Sequence, residues 1–511
     1  MPIGHLSTAR LVVLAAAVVV TALAAIAAGT RTAPATATAA TRAAAQNRPN
    51  VIILETDDQT DASLRVMRNV NELLVRQGVR FDNNFASFPL CCPSRATTLT
   101  GQYAHNHTVM GNAPPEGGYE KLDHSNTLAV WLQRAGYRTI HVGKYLNGYG
   151  QRGTQTQVPP GWSEWNGATS LPYLGFTLNE NGTLRTYPAN QANYQSDVFA
   201  RKAADAIRRN GPSDTPFFMW VAFYAPHAGG PADPDDPNVR AADRPRRRGN
   251  RRRAGAFRGP SPAERHRDAF ANEALPQPPS FNEADVSDKP AAVRNRALLT
   301  NAQISALRES YQQRLESLLA VDEAVASVVE ALRASGELDN TIIIFTSDNG
   351  FMQGEHRIPS GKTVAYEPSA RVPLVIRGPG IPRGRHVRDL VMNVDVAPTI
   401  VDAANASASR RMDGQSLLPL MRDGLANYGR DVLLETRTYS AIHTDRYVYI
   451  EHTTGERELY DLATDPNQLQ SRHADAGLAS MRTELARRLA RLRACAATAC
   501  RQGPRVALSA A

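Results

Sequence analysis

Two short apolar runs, far apart in the chain, most constrain how it can fold. Residues 51–54 and 341–345 are apolar almost without interruption, which is typical of strands buried on both faces of a parallel sheet. They lead into two pairs of potential ligands, Asp57-Asp58 and Asp348-Asn349. The carboxyl ends of parallel strands meet at one edge of a sheet, and ligands bind there. We therefore expect the two pairs to meet at that edge.

Further strands and helices between these runs indicate the fold class. Helical periodicity covers residues 127–135 and 305–335, and strand-like runs cover 138–142 and 216–223. Strands that alternate with helices are typical of doubly wound α/β folds. The sequence therefore predicts an α/β protein with a large doubly wound mixed sheet flanked by helices, in a domain over residues 47–427.

The pattern changes near residue 428. Three short strand-like runs follow, at 431–435, 447–451 and 458–462. An amphipathic helical pattern comes next, at 481–493. Strands grouped before a helix predict a smaller C-terminal α+β subdomain, which we place at 428–511. In an exported protein, Cys495 and Cys500 can form a local disulfide.

The N-terminal segment has the features of a targeting sequence. After Arg10, residues 11–28 form an apolar run about as long as a signal-peptide core and short for a membrane span. Its high alanine content favours a signal peptide at 1–29, although an uncleaved anchor stays open. Residues 30–46 lack periodicity and predict a flexible linker. We expect a secreted or extracytoplasmic protein, bound to a membrane only if this segment is retained.

The positive charge of the chain is concentrated in one segment. The net charge is +9, and residues 240–258 contain nine arginines and one acid, Asp243. A charge confined to one insertion argues against nucleic-acid binding by the fold. The surrounding residues 231–260 are rich in Pro, Asp, Gly and Arg, which predicts a disordered basic insertion. It is either a solvated loop or a contact for a polyanionic substrate or surface.

The adjacent thiols of Cys91 and Cys92 lie in a distinctive context. Neighbouring cysteines rarely bridge each other, so one interpretation is two buried thiols. Pro93 favours the first turn of a helix, which places Cys91 at a helix N-terminus. Free N–H groups and the helix dipole favour a tetrahedral oxyanion there, and Arg95 can point to the same anion.

Residues 91–101, CCPSRATTLTG, resemble the sulfatase signature Cys-x-Pro-Ser-Arg followed by Thr-Gly. Cys91 matches the position that sulfatases oxidise to formylglycine (3-oxoalanine). The resemblance covers about residues 50–470 and is closest to the glucosamine-6-sulfatase group. That group has similar stretches at 143–147 (GKYLN) and 225–227 (APH).

The resemblance implies an enzyme that hydrolyses sulfate esters. A hydrated formylglycine attacks sulfur with one hydroxyl, displaces the alcohol, and releases sulfate as its second hydroxyl re-forms the aldehyde. Maturation requires a formylglycine-generating enzyme as a partner. The implied substrate is a sulfated sugar, such as N-acetylglucosamine-6-sulfate or a glycosaminoglycan, with aryl sulfates as further substrates.

A metal site follows from the same residues. The two pairs at 57–58 and 348–349 offer only oxygen ligands, and the modified Cys91 would add another. Oxygen ligands select a hard cation, and irregular carboxylate geometry favours Ca²⁺ over Mg²⁺. We therefore predict a Ca²⁺ ion that neutralises charge during attack on the ester, with Asp348 also required for catalysis.

The resemblance assigns three further residues to the sulfate group. Lys144 and Lys362 are expected to clamp the ester oxygens as point charges and count as both catalytic and substrate-binding. His227 is expected to protonate the departing alcohol, because histidine can donate a proton near neutral pH. Structural roles, as solvated lysines and a hydrogen-bonded loop histidine, are the alternatives.

One position departs from the pattern of many sulfatases. They carry Lys-x-His, whereas Leu146 stands here two residues after Lys144. The role of the missing histidine passes to His105, to His107 or to no residue. These two histidines can instead line a sugar subsite. Glu355-His356 is either a substrate contact or a salt-bridged loop.

Two rival functions stay open. Phosphonate monoester or phosphodiester hydrolases of the same superfamily share the cysteine motif, but an Asp-Asn pair such as 348–349 favours sulfate. Without conversion of Cys91, the protein would be a non-catalytic sulfated-glycan-binding protein that uses Lys144, Lys362 and the basic insertion.

Overall fold

Three β-sheets and the helices around them make up the folded part of the computed structural model, which describes residues 48–229, 236–237, 257–424 and 426–501. The strands are β1 (Asn50–Thr56), β2 (Val79–Phe81), β3 (Asn84–Phe85), β4 (Arg138–Gly143), β5 (Glu164–Ala168), β6 (Thr177–Glu180), β7 (Thr183–Thr186), β8 (Phe217–Ala222), β9 (Thr341–Ser347), β10 (Leu374–Arg377), β11 (Arg385–Val387), β12 (Val391–Met392), β13 (Val432–Glu435), β14 (Tyr439–His443), β15 (Tyr447–His452) and β16 (Arg457–Asp461). The α-helices are α1 (Arg68–Val70), α2 (Cys91–Thr100), α3 (Ala104–His107), α4 (Leu128–Arg134), α5 (Gln195–Asn210), α6 (Ala291–Arg294), α7 (Asn301–Ala334), α8 (Glu367–Ala370), α9 (Val396–Ala403), α10 (Leu418–Arg422) and α11 (Ala479–Arg493).

Ten strands form one mixed sheet in the order β11-β2-β10-β9-β1-β8-β4-β5-β6-β7. The central strands β9, β1, β8, β4 and β5 are parallel to one another, and β10 and β6 run antiparallel at their flanks. Every residue of β1 and β9 is buried. Buried central strands explain the continuous apolar runs and confirm the predicted doubly wound α/β fold.

Helices cover both faces of this sheet, and β1 shows how the two faces differ. Val51 and Ile53 pack in one core with residues of α2, α4 and α9. Ile52 and Leu54 pack in another core, with residues of α5 and α7. Alternate residues of a strand point to opposite faces, so α2 and α7 lie on opposite sides of the sheet. All four tryptophans belong to the core on the α2 side, namely Trp131, Trp162, Trp165 and Trp220.

A four-stranded antiparallel sheet, β13-β14-β15-β16, forms the C-terminal part, and α11 packs on it. The separate small sheet agrees with the predicted α+β character, with β14 as an additional strand. Cys495 and Cys500 form a disulfide after α11.

Several predicted segments lie outside the described residues. The predicted signal peptide at 1–29, the linker at 30–46 and most of the basic insertion at 231–260 belong to this group. Of the insertion's final residues, Phe257 is buried and Pro260 forms a β-bridge with Gly229. Within the described ranges, none of the helices combines the length and apolarity that crossing a membrane requires.

Candidate active site

The two ligand pairs meet at the carboxyl edge of the sheet, as expected from the strands that precede them. Asp57 and Asp58 follow β1, and Asp348 and Asn349 follow its neighbour β9. The Asp58 N–H donates to Asp348 Oδ1 over 3.1 Å, and Asn349 Nδ2 donates to Asp58 Oδ1 over 2.6 Å. All four side chains are buried. The parallel pairing of two strands thus brings together groups from distant parts of the chain.

Cys91 is the first residue of α2 and points into this group. Its Sγ lies 3.5 Å from Asp57 Oδ1 and 2.8 Å from Lys362 Nζ. Burial, reinforced by Asp57, raises the pKa of the thiol to about 12, so the unmodified cysteine stays protonated at neutral pH. A protonated thiol is a poor nucleophile.

Two lysines bind the first acidic pair. Lys144 follows β4 and forms an ion pair with Asp57, whereas Lys362 forms one with Asp58. Burial raises the pKa of Asp57 and Asp58, but the surrounding cations, led by Lys144 and Lys362 respectively, outweigh it and hold both pKa values below the ordinary value. Both carboxylates are therefore ionised and stay available as ligands.

Arg95 reaches the cluster from α2 and joins several strand ends. Its Nε donates to Asp348 Oδ2 over 2.9 Å, and its Nη1 donates to the Lys144 carbonyl over 3.0 Å. The same Nη1 lies 3.3 Å from Glu55, a buried carboxylate of β1. Arg95 is fully buried, so these acids supply its counter-charge.

His227 lies beside the acidic pair with one ring nitrogen facing it. Its Nε2 is 3.8 Å from Asp58 Oδ2, while its Nδ1 is 2.7 Å from the Ala228 carbonyl. A carbonyl can only accept, so Nδ1 carries the hydrogen and the neutral ring presents a lone pair at Nε2. The Tyr224 ring stacks on the imidazole with 4.7 Å between centroids. To act as an acid at Nε2, His227 must first become an imidazolium.

The residues present fit a divalent cation. One ligand atom each of Asp57, Asp58, Cys91 and His227 lies within 4.8 Å of the others. Asn349 Oδ1 is buried and accepts no hydrogen bond from the described residues. The Asp348 oxygens accept from Asp58 and Arg95, but each carboxylate oxygen keeps a second lone pair. Carboxylate and amide oxygens suit a hard divalent cation.

The structure does not bring the other predicted residues into this group of contacts. His105 Nδ1 pairs with Glu435 at 2.9 Å, and its Nε2 lies 3.0 Å from the Cys495 carbonyl. His107 Nε2 lies 3.0 Å from the Thr97 hydroxyl, and its Nδ1 accepts from the Val109 N–H. Both rings therefore have protein partners on each nitrogen.

The pair at 355–356 also faces other surroundings. His356 Nδ1 is 2.6 Å from a carboxylate oxygen of Glu283, which makes the ring part of a buried pair. Glu355 lines a cleft of about 1080 Å³ whose lining includes Tyr311 and Arg371 and none of the cluster residues. The ion pair of His356 fits the salt-bridged loop that the sequence left open as one alternative.

Sequence reasoning missed two buried charged residues at the site, Glu55 of β1 and Arg314 of α7, and Arg314 is the more informative. It is 4% exposed and donates to the carbonyls of Asp58 and Pro226. A signal was present, because Arg314 continues the apolar stripe of the helix. The buried members of that stripe are Leu307, Tyr311, Leu318, Val321 and Val325. A charged residue in such a stripe needs a specific partner.

Two family models and several relatives match this chain. The sulfatase family model matches residues 49–406, and a model named N-sulphoglucosamine sulphohydrolase, C-terminal, matches residues 354–495. The arylsulfatase of Volvox carteri is 35% identical over 518 aligned residues, which cover 90% of this chain and 77% of that protein. The N-acetylglucosamine-6-sulfatase of Homo sapiens is 34% identical over 408 residues, 77% of this chain and 68% of that protein.

A solved structure shows that the fold is shared as well. A protein in complex with its substrate, D-glucosamine-2-N,6-O-disulfate, has a TM-score of 0.69 and 24% identity, covering 87% of this chain and 97% of that one. The family model alone covers more than half of the chain, and its match includes Cys91 and both acidic pairs. The chain therefore belongs to the sulfatase family and is a sulfuric ester hydrolase.

Proposed function

We propose that this protein hydrolyses the sulfate esters of sugars, with a formylglycine made from Cys91 and with a bound Ca²⁺ ion. One observation carries the proposal: Cys91 begins a buried helix with its Sγ 3.5 Å from Asp57, and the neighbouring Asp58 is hydrogen-bonded to Asp348 and Asn349 at the end of the next strand. Asp57, Asp58, Asp348 and Asn349 would hold the ion, which supplies positive charge against the sulfate oxygens when bound. The aldehyde hydrate at position 91 would supply the attacking hydroxyl.

The remaining charged residues have complementary tasks. Lys144 and Lys362 already lie against the acidic pair, so their ammonium groups are within reach of an ester placed above Cys91. The S–O bond to the sugar breaks as the new S–O bond forms, and the alcohol oxygen needs a proton. His227, with Nδ1 committed to the Ala228 carbonyl, would donate that proton from Nε2 of its imidazolium form.

Support for a sugar substrate comes from the relatives. One is named N-acetylglucosamine-6-sulfatase, and a structural neighbour is described with a sulfated glucosamine. We therefore propose a 6-sulfated amino sugar, free or in a glycosaminoglycan chain, as the substrate, and aryl sulfates as surrogates. Activity on defined sulfated saccharides, measured by sulfate release, tests this assignment.

The decisive experiment combines mass spectrometry with turnover. Protein from a source that installs formylglycine should show an aldehyde at position 91 in the peptide that contains it. That protein should hydrolyse an aryl sulfate, whereas Cys91→Ala should retain its fold by circular dichroism and fall to the background rate. Full activity in Cys91→Ala, or an unmodified thiol in active protein, would refute the nucleophile.

The same assay separates the rival functions. A rate on an aryl phosphonate monoester that exceeds the rate on the matching aryl sulfate would favour the phosphonate hydrolases. Binding of sulfated glycans without turnover by aldehyde-containing protein would favour the glycan-binding alternative. Asp348-Asn349 supports sulfate, so we expect the aryl sulfate to react faster.

We also propose that the protein is exported and matured by a formylglycine-generating enzyme. The Cys495–Cys500 disulfide supports an oxidising compartment, where such bonds persist. The apolar run at 11–28 supports the same location. Fractionation of the native source, with the mature N-terminus read by sequencing, tests export and cleavage together.

A further inference from the structure

Arg314 is a buried cation that meets the active site from the side opposite Cys91. It lies on α7, whose apolar residues pack on the sheet face away from α2. Only 4% of its surface is exposed. Burying a guanidinium is unfavourable unless the charge and its donors find good partners.

Its partners belong to three different loops. The Nη1 group donates to the Pro226 carbonyl over 2.9 Å, and Nη2 donates to the Asp58 carbonyl. The guanidinium also lies over the Phe351 ring, 4.1 Å from its centroid. These loops follow the parallel strands β1, β8 and β9. One side chain therefore contacts the loops that carry Asp58, His227 and Asn349.

The chemical type of the hydrogen-bond partners of Arg314 also indicates its role. Within the described residues, the side chain of Arg314 donates hydrogen bonds to main-chain carbonyls and not to a carboxylate. A planar guanidinium can bind two carbonyls at a fixed separation, which a single ammonium group cannot. The contact therefore fixes the positions of two backbones, and the acids beyond them offset part of the buried charge.

The backbone at Asp58 needs such a restraint. Its φ is 69°, in the left-handed region that residues with a Cβ rarely adopt. A conformation of this kind persists only where the surroundings hold it. The Asp58 N–H is bound by Asp348 and its carbonyl by Arg314, so both sides of the residue are fixed.

We propose that Arg314 is a positioning residue that sets the backbone at Asp58 and at Pro226, and thereby aligns the ion ligands with His227. It does not contact the ester itself. This inference rests on the proposed function for its kinetic consequences, but its structural part does not depend on which ester is hydrolysed.

The test compares Arg314→Lys and Arg314→Ala with a matched control on the same helix. Arg308 is exposed and also donates to two main-chain carbonyls, those of Ala271 and Glu273, far from the site in sequence. Arg308→Ala therefore removes the same kind of contact without touching the three loops. All variants are full-length, matured protein with their formylglycine content measured by mass spectrometry.

The first readout is hydrogen exchange without added metal. Arg314→Lys should accelerate exchange in the segments 57–60, 225–229 and 349–353, whereas Arg308→Ala should leave them unchanged. Unchanged exchange in all three segments of Arg314→Lys would overturn the inference. This measurement is independent of catalysis, so it also decides the case if the wild type proves inactive on every sulfate ester and the proposed function fails.

The second readout is functional. We expect Ca²⁺ affinity to fall by about tenfold or more in Arg314→Lys, as for losses of groups that orient metal ligands. We expect kcat to fall by about 100-fold with a smaller change in KM, as for small misplacements of catalytic groups. Guanidinium ion should restore part of the kcat of Arg314→Ala, and methylammonium should not. Wild-type affinity and kcat in Arg314→Lys, or equal rescue by both ions, would contradict positioning by the planar group.

Discussion

A buried arginine reaches the active site from each side of the sheet, and the two arginines have different kinds of partner. Arg95 comes from α2 and pairs with carboxylates, including Asp348 at 2.9 Å. Arg314 comes from α7 and binds main-chain carbonyls. Burial disfavours both charges, but Glu55 and the other acids outweigh it and raise the pKa of Arg95. For Arg314 burial prevails over nearby Asp58 and lowers the pKa.

The two arginines therefore have different roles: Arg95 balances the charge of the cluster, and Arg314 holds the backbone in place. Removing Arg95 leaves the buried carboxyl groups of Asp348 and Glu55 without their counter-charge, and removing Arg314 leaves neutral carbonyls without a donor. Uncompensated buried charge is the more costly of the two. The α2 side therefore controls the electrostatics of the cluster, and the α7 side controls the path of the backbone around it.

The largest expected effect is a difference in stability between matched substitutions. Arg95→Met should lower the free energy of unfolding by about 3–5 kcal/mol in metal-free protein, as for one partner of a buried ion pair. Arg314→Met should cost less, about 1–3 kcal/mol in all, because the loss of two hydrogen bonds to neutral carbonyls is partly offset by the removal of a poorly compensated buried cation. Denaturant unfolding of both variants checks the order. An equal loss of stability in the two variants, or a larger loss in Arg314→Met, would contradict the different roles assigned to the two arginines.

A second prediction concerns the stabilisation of each variant by Ca²⁺. Relative to the wild type, this stabilisation should increase in Arg95→Met and decrease in Arg314→Met. Arg95→Met removes a cation beside the ligand Asp348 and with it the repulsion of Ca²⁺, so Ca²⁺ should stabilise this variant more than the wild type. Arg314→Met misplaces the ligands, so Ca²⁺ should stabilise it less. Each tenfold change in affinity corresponds to about 1.4 kcal/mol at saturating ion. The difference in melting temperature between samples with Ca²⁺ and samples with a chelator measures this stabilisation for each variant. Changes of the same sign in the two variants, relative to the wild type, would count against the proposal.

Phe351 offers a smaller test on the α7 side alone. Its ring supports the guanidinium of Arg314 at 4.1 Å from the centroid. Phe351→Leu should weaken this contact by about 0.5–2 kcal/mol. Because Arg95 does not use this ring, the variant should resemble a mild Arg314 substitution and reduce Ca²⁺ affinity. An unfolding curve and a Ca²⁺ titration identical to those of the wild type would argue against the role of the ring.

The smallest expected effect lies outside the cluster, at the pair of His105 with Glu435. Burial alone would lower the pKa of His105, but Glu435 outweighs it and the pKa is raised above 6.5. The pair should therefore stabilise the protein fully below about pH 6.5 and progressively less as the pH rises through the raised pKa. The difference in melting temperature between wild type and His105→Gln should shrink over that range. A constant difference would show that His105 acts through packing alone.

Sequence patterns predicted those parts of the fold that local periodicity encodes. The apolar runs of β1 and β9 identified the centre of the sheet, because strands buried on both faces need apolar residues throughout. Strand β14 was missed, since its sequence YSAIH has few of the residues that mark a strand. The interior strand β5, EWNGA, was missed for the same reason.

The site was predictable where a motif or a strand end marks it. Cys91 and the acidic pairs come directly after recognisable features, so their meeting followed from topology. The partners of Arg314 and His105 are far along the chain: Asp58 lies 256 residues from Arg314, and Glu435 lies 330 residues from His105. No local pattern specifies such contacts. For His105 and His107 the sequence left a catalytic role, a sugar subsite or no role open, and the structure gives both rings protein partners on each nitrogen.

The placement of the tryptophans makes the two sides of the sheet separately observable. All four indoles pack on the α2 side, and Trp220 of β8 lies in the same core as the first turns of α2. Tryptophan fluorescence therefore reports on the α2 side of the sheet. A substitution that perturbs only the α7 side should leave the tryptophan emission spectrum unchanged while hydrogen exchange on that side becomes faster. Fluorescence and hydrogen exchange together can therefore show which side of the sheet a substitution perturbs.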